Sequence, residues 1–281
     1  MATIALLGTG LLGQGFAENL LNKGHTVRVW NRTKNKLAGL IERGAIATES
    51  PDECVRGAER VHLVLSEDDA VDDVIAKLRE GLSNNTPVID HSTNLPKKVK
   101  ARFDQLRASD VRYVSAPVFM APKHARSADG LMLISGPPAD TDELRPALEE
   151  MTGKLWHVGD RADLAAVYKL AGNSVYFAVT GAVADVLAMA RENDVEPETA
   201  MQVFSEFKPG SGLHMVERRI AGADKDRPAS FEMTMAEKDA RLMAEAAGEQ
   251  PLFVLPAILE AMRQGIAKGY GKADFAAFAK A

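Results

Sequence analysis

Over residues 1–160, short apolar runs alternate with segments whose apolar positions recur every three or four residues, the pattern of strands alternating with helices. The strands read Thr3–Leu7, His25–Trp30, Val61–Leu65, Val88–Asp90, Val111–Val118, Leu131–Ser135 and Leu155–Val158. Between them, Phe16, Leu20 and Leu21 mark a helix that stops at Asn22-Lys23-Gly24, and Ala70–Arg79, Pro96–Leu106 and Asp142–Met151 read as further helices. After Gly159 the alternation ends. From Arg161 onward only helical segments are expected: a long one over residues 162–193, then Pro197–Glu206, Leu213–Ala221, Thr234–Ala247, Leu255–Lys268 and Ala273–Lys280. Turn signals at Lys208-Pro209-Gly210-Ser211-Gly212, Asp226-Arg227-Pro228 and Gly248-Glu249-Gln250-Pro251 separate them. The pattern predicts an α/β protein. A doubly wound parallel sheet over residues 1–160 is followed by an all-α domain over 161–281, joined through one long interdomain helix.

Composition narrows the function classes. A length of 281 residues suits two domains, and 46% apolar residues can fill two cores. The net charge of −5 argues against nucleic acid as a partner, because phosphate contacts need a concentrated basic surface. The basic run Lys97–Lys98–Lys100–Arg102 reads as one solvated helix face. A single cysteine, Cys54, excludes an internal disulfide framework and fits a reducing compartment. The opening MATIALLG has no basic region and no cleavage pattern, so no secretory signal is expected. Leu164–Ala184 resembles a membrane span in length only; its Ala, Gly, Asn, Ser and Thr content and its early lysine favour a buried helix. A soluble cytoplasmic protein is expected.

The first strand runs straight into Gly8-Thr9-Gly10-Leu11-Leu12-Gly13 and then a helix. A lone GxGxxG is a weak signal, but between a strand and a helix of a βαβ unit it marks a Rossmann-type dinucleotide site. Gly8 permits the tight turn, Gly10 lets the backbone approach a pyrophosphate, and Gly13 lets the helix pack close to the strand. The helix amino terminus offers free N–H groups to the phosphates. At the end of the second strand, where NAD binders place an acidic residue, this chain has Asn31-Arg32-Thr33. A guanidinium and a hydroxyl in place of a carboxylate suit a 2′-phosphate, which predicts NADP(H) in preference to NAD(H). A surface role for Arg32 is the alternative. Leu65-Ser66-Glu67 and His91-Ser92-Thr93 follow strands at their carboxyl ends and are cofactor candidates by position, although Asp90-His91-Ser92-Thr93 also reads as a capping segment ahead of Pro96.

Within Leu164–Ala184 the one charge is Lys169, and Asn173 lies four residues on, on the same helix face. By pattern alone that lysine is either structural, reaching for water, or a tuned acid/base group.

Four stretches fall in one order: GTGLLG, Asp90-His91-Ser92-Thr93, Ser115-Ala116-Pro117-Val118, and Lys169-Leu170-Ala171-Gly172-Asn173. The chain resembles the β-hydroxyacid dehydrogenase family, the group of 3-hydroxyisobutyrate dehydrogenase and the glyoxylate and succinic semialdehyde reductases. The resemblance extends to Phe231 and Lys238-Asp239. It implies hydride exchange between a nicotinamide and the carbinol carbon of a small hydroxy acid or semialdehyde. Lys169 would move the hydroxyl proton, and Asn173 would bind the substrate or orient the lysine. Ser92 and Thr93 would lie near the nicotinamide, and Lys238 would approach the cofactor. No metal is called for, and the six histidines stand singly in the sequence, without ligand spacing.

The chain departs from the family in the loop that would hold the substrate carboxylate. Where the family has Ser-Gly-Gly, this chain has Phe119-Met120-Ala121, and Phe231 joins these as a substrate-side candidate. It also has Ser115 for a common Asp, Ala128 for a usual glycine, and Gly172 for a common second Asn. The substrate is therefore expected to be larger or less polar. Lys123, His124 and Arg126 read either as holders of an anionic group or as solvated loop charges. An imine reductase is the second enzyme reading, and Lys169 counts against it because those enzymes carry an acid or a tyrosine there. A sensor that binds the dinucleotide without turnover is the third reading, against which stand both Lys169 and Asn173. The small residues Ala165, Ala171, Gly172, Ala178, Gly181, Ala182 and Ala188 would allow close helix–helix approach, and a homodimer or homotetramer is expected.

Overall fold

In the computed structural model of the chain, β1 (Thr3–Leu7), β2 (Thr26–Trp30), β3 (Ile46–Ala47), β4 (Arg60–Leu63), β5 (Val88–Asp90) and β6 (Tyr113–Ser115) form one sheet. Residues 1–208, 210 and 213–280 are described, the side chains of Leu213 and His214 excepted. The strand order is β3-β2-β1-β4-β5-β6, and every pairing is parallel. Both faces are covered: α1 (Leu11–Asn22) and α2 (Ala38–Glu42) run between the first strands, α3 (Pro51–Val55) and α4 (Asp68–Leu78) flank β4, and α5 (Pro96–Arg107) precedes β6. The strands are accordingly apolar on both sides, as a doubly wound sheet requires, with Ile4 and Leu6 in one core cluster and Ala5 and Leu7 in another. The order reverses between β1 and β4, and that switch point is where the open crevice of such a sheet lies.

The stretch expected as one strand over Val111–Val118 is two, in different sheets. Ala116-Pro117 interrupts it: Ala116 still donates to the Asp90 carbonyl beside β5, but Pro117 has no N–H and the chain turns away. Residues beyond the break form a second sheet, β7 (Val118–Phe119), β8 (Leu131–Ile134) and β9 (Lys154–His157), with α6 (Pro122–Arg126) between its first two strands. The helix expected over Asp142–Met151 is shorter than that: α7 (Pro138–Thr141) lies before the expected range, and only α8 (Arg145–Glu149) falls within it. Pro146 belongs to the first turn of α8, where its missing N–H costs nothing, and would break a helix running through from Asp142. Ala128, at a position the family fills with glycine, has φ +52°, the left-handed region that glycine adopts without strain.

The long helix is α9 (Leu164–Glu192). Its start is pinned to β8: Ser135 Oγ accepts from Ala165 N–H and donates to the Ala162 carbonyl, both at 2.9 Å. Packing divides the chain into Met1–Asn173 and Ser174–Ala281, so the first turns of α9, through Lys169 and Asn173, pack with the sheet-bearing unit.

The second unit is helical, with α10 (Pro197–Met201), α11 (Val203–Glu206), α12 (Leu213–Gly222), α13 (Met233–Ala246) and α14 (Leu255–Gly265) after the rest of α9. The expected turn at Lys208-Pro209-Gly210-Ser211-Gly212 lies largely outside the described residues. Met233, Ala236 and Ala240 of α13 and Met262 of α14 centre its core. Asp185 of α9 is buried and accepts from the backbone N–H groups of Phe253, Val254 and Leu255, satisfying donors at the start of α14 that helix geometry leaves open.

The expectation of a buried segment at Leu164–Ala184 does not hold for the single chain. Ala165 and Ala166 are buried, but residues 174–180 are exposed without interruption, Tyr176 at 69% and Phe177 at 67%. By length and composition α9 is long and apolar enough to cross a membrane, with a mean hydropathy of 1.3.

Candidate active site

The loop from β1 to α1 is built around backbone crowding. Gly8 has φ +102°, and a Cβ there would stand 2.2 Å from the Val64 carbonyl oxygen. A Cβ on Gly13 would stand 1.9 Å from the Gly8 carbonyl oxygen, so both positions exclude any side chain. Gly10 differs: nothing lies within 4 Å of where its Cβ would be. Open space therefore faces the first turn of α1, whose amino terminus has no side-chain cap. Thr9 Oγ1 is buried there with no hydrogen-bond partner. Free helical N–H groups, an orphaned hydroxyl and an unfilled approach at Gly10 fit a dinucleotide pyrophosphate.

Asn31 ties this loop to the end of β2. Its Oδ1 accepts from Thr9 N–H at 3.1 Å and its Nδ2 donates to the Thr33 carbonyl at 2.9 Å. The amide thus braces the turn from the position of the usual NAD-binding carboxylate. Gly8, Gly10, Asn31, Arg32, Thr33, Leu65 and Ser66 all line one cleft of about 240 Å³, as the sequence grouped them. Lys36 and Lys77 line it too, with Asp73 as the one carboxylate among the lining residues. Neither lysine was singled out from sequence. Lys77 shares a helix face with Ala70, Asp73 and Val74, all of which line the cleft; the i, i+3, i+4, i+7 spacing puts the four together but does not say which face meets the cleft. Leu11, Leu12, Gly13 and Glu67 do not line it; Leu11 is exposed and Gly13 is packing.

Ser92 is buried and its Oγ accepts from Leu65 N–H at 3.0 Å, joining the loops after β4 and β5; Thr93 is exposed. The loop's geometry rests on Asp90 beneath it, which accepts from Ser92 N–H, Asn94 Nδ2 and Tyr113 OH at 2.7–2.9 Å. Burial pushes the Asp90 carboxyl above the ordinary carboxylate range, against the pull of Ser92, Tyr113 and Arg102. Arg102 is itself buried but held charged by Asp72, Tyr113 and Asp68.

His62 and His91, far apart in sequence, meet in the core. His91 Nδ1 lies 2.7 Å from the Ala116 carbonyl, which only accepts, so that nitrogen carries the proton. His91 Nε2 then accepts from His62 Nδ1 at 2.9 Å, and His62 Nε2 accepts from Arg60 Nε at 3.3 Å. Both rings are neutral donor–acceptor links between β4, β5 and the Ala116-Pro117 break, and burial lowers both pKa values.

Lys169, Asn173 and Phe119 converge. Lys169 Nζ donates to Asn173 Oδ1 at 3.2 Å, one helical turn along, and stands 4.2 Å from the centre of the Phe119 ring. The lysine is half-buried, and burial lowers its pKa from the ordinary lysine value. Phe119 in turn rests on Gly172: a Cβ there would stand 2.4 Å from Phe119 Cζ. Two departures from the family pattern are thus one contact. Met120 packs against the core of the sheet-bearing unit, and Ala121 is the N-cap position of α6. In the helical unit, Phe231 packs edge-on to Phe275 at 5.6 Å and Lys238 pairs with Asp239 at 2.8 Å.

Residues 3–159 match the family model for the NAD binding domain of 6-phosphogluconate dehydrogenase. Residues 164–281 match that for the NAD-binding region of NADP-dependent 3-hydroxyisobutyrate dehydrogenase. The oxidoreductase YfjR of Bacillus subtilis is 29% identical, covering 99% of this chain and 98% of its own. The 3-hydroxyisobutyrate dehydrogenase of Pseudomonas aeruginosa is 27% identical, covering 85% and 83%. An imine reductase from a Pseudomonas species shares the fold at a TM-score of 0.87 and 20% identity, covering 99% and 98%.

Proposed function

Because the chain belongs to the β-hydroxyacid dehydrogenase family of NAD(P)-dependent oxidoreductases, we propose that it interconverts a small carbonyl compound and its alcohol, using NADP(H) in preference to NAD(H) and Lys169 as the acid/base group. The observation that carries this reading is the half-buried Lys169 ammonium, held by Asn173 one turn away, on a chain that also bears a dinucleotide loop.

The nicotinamide, when bound, supplies or accepts the hydride. The residues of this chain do the rest. Lys169 gives a proton from Nζ to the carbonyl oxygen in reduction and takes the hydroxyl proton in oxidation. Asn173 Oδ1 orients the ammonium, leaving its Nδ2 as a donor for the substrate oxygen. Ser92, through Leu65 N–H, holds two cofactor-facing loops in register. The preference for NADP(H) is supported by three cations, Arg32, Lys36 and Lys77, in a cleft with one carboxylate, and by the engagement of Asn31 within the loop. Residues 1–160 are assigned to the dinucleotide and 161–281 to substrate and oligomer contacts. The resemblance assigns Lys238 to the cofactor and Phe231 to the substrate, assignments that alanine variants test through Kd and KM. The exposed apolar stretch 174–180 supports a homodimer or homotetramer, and the proposed enzyme is assigned to the cytoplasm with it.

The test is turnover. NADP+ and NAD+ reduction are measured with 3-hydroxy acids and neutral alcohols, and NADPH and NADH oxidation with semialdehydes, neutral aldehydes and cyclic imines. Carbonyl or alcohol turnover with kcat/KM at least about tenfold higher for NADP(H) is expected. Turnover confined to imines would make the protein an imine reductase, and tight NADPH binding with no turnover would make it a sensor.

A further inference from the structure

Around the Lys169 ammonium the sheet-bearing unit presents a face of Phe119 and the amide of Asn173. The loop around that ring has few donors to offer an anion. Phe119 is paired to Leu131 within the second sheet, Ala121 N–H is taken by His124 Nδ1 at 3.2 Å, and Pro122 has no N–H. The cations that follow are engaged elsewhere or face water: His124 in that cap, Arg126 on Glu18 at 2.7 Å, and Lys123 on the exposed side of α6. Lys169 remains, and its proton is needed at the reacting oxygen.

The ring lies close against Gly172. A Cβ on Gly172 would meet Phe119 Cζ at 2.4 Å and Cε1 at 2.8 Å, distances that real carbon atoms do not adopt. On the other side of the loop, Gly130 at φ +93° leaves no room between its own Cβ position and Met120 Cγ, 2.8 Å away. A side chain at 172 would therefore have to displace the tip of the Phe119 ring, which in its present position covers the ammonium with an aromatic surface.

Resting on the function proposed above, we propose that Phe119 and Gly172 are a matched specificity pair that makes the substrate a carbonyl compound whose substituent is neutral and apolar and carries no carboxylate. An aromatic wall gains apolar contact with such a substituent. A carboxylate placed against the same wall would be stripped of water with few donors to replace it.

Two readouts test this separately from the reaction class. With NADPH, turnover of succinic semialdehyde is compared with that of its methyl ester and of butanal. In the NADPH-saturated protein, thermal protection by succinamate, whose amide takes the carbonyl position and whose carboxylate lies in the substituent, is compared with that by butyramide, which requires no turnover. The neutral member of each comparison is expected to win by about tenfold or more in kcat/KM or Kd. Succinamate binding as well as butyramide overturns the proposal even if no substrate turns over, whereas butyramide preference without turnover sinks only the proposed function. The pairing is tested by a double-mutant cycle in the same assays. Gly172→Ala is expected to weaken butyramide binding by about tenfold beside Phe119 and by no more than about twofold in the Phe119→Ala background. An equal loss in both backgrounds overturns the pairing. If Gly172→Ala alone is unstable, recovery of the fold in the Phe119→Ala/Gly172→Ala protein supports the pairing, and equal instability of the two overturns it.

Discussion

Lys169 is a cation that burial disfavours, and both of its partners suit the protonated form. Asn173 Oδ1 needs an N–H to accept, while the face of Phe119 favours the ammonium. Reduction requires the protonated lysine and oxidation the neutral one. As pH rises through the lowered pKa of Lys169, kcat/KM for reduction should therefore fall and that for alcohol oxidation should rise. Lys169→Ala should remove both limbs and lower kcat by about 10²–10⁴-fold while leaving NADPH affinity nearly unchanged. An alanine variant that keeps the limb would remove Lys169 from this role. At the other end of the cofactor, Arg32→Ala should cut the ratio of kcat/KM for NADPH over NADH by about tenfold or more, and an unchanged ratio would exclude Arg32 from the discrimination. At this scale the sequence was most legible where a residue's task is local. The crowding that demands glycine at 8 and 13 arises within one turn and its neighbouring strand. Lys36 and Lys77 were hidden because a cation on a helix face looks the same whether it faces water or a phosphate.

Elements were legible where a period repeats and obscure where a single contact decides. Thr3–Leu7 and Val88–Asp90 were read to the residue, because strands buried on both faces are continuous apolar runs. Val111–Val118 was read as one strand because its composition is uniform; the break depends on Pro117 and on what the Ala116 backbone bonds to. That bond belongs to the His62–His91 pair, which no spacing in the sequence announced, and the pair gives the β4–β5 region a pH dependence with a definite sign. The His91 pKa falls from 6.5 to about 4 on burial, so between these values the unfolded chain binds a proton that the folded chain refuses. Stability should be fully present above 6.5 and decline as pH falls toward 4, by about 3 kcal/mol from His91 alone at about 1.4 kcal/mol per pH unit. Urea unfolding of the wild type and of His91→Gln across that range isolates this contribution. The variant is expected to be less stable at neutral pH but flatter in its response, and two parallel curves would show that the histidine is not the cause.

At the scale of the whole molecule, α9 poses a question that one chain does not answer. A helix with Val175, Tyr176, Phe177 and Val179 all exposed is apolar around its circumference, and in water such a helix needs cover on every side. Sequence periodicity revealed the apolar character and suggested burial; it could not say whether the cover comes from the same chain. The small residues along the helix, among them Ala171, Gly172, Ala178 and Ala182, would let another helix approach closely. In the proposed oligomer a second copy of the chain would supply that cover, each large apolar side chain covered contributing about 1.5–3 kcal/mol. Light scattering should then give at least twice the monomer mass of 30.3 kDa at micromolar concentration. Phe177→Glu, two turns beyond Lys169, should shift the protein toward that monomer mass by placing a charge in the interface. Because Lys169 and Asn173 lie on the same helix, turnover should fall with it, and raising the protein concentration should recover both the larger mass and the activity together. A wild type that stays monomeric would leave the exposed face of α9 without this explanation. A Phe177→Glu protein that remains fully assembled would move the interface elsewhere.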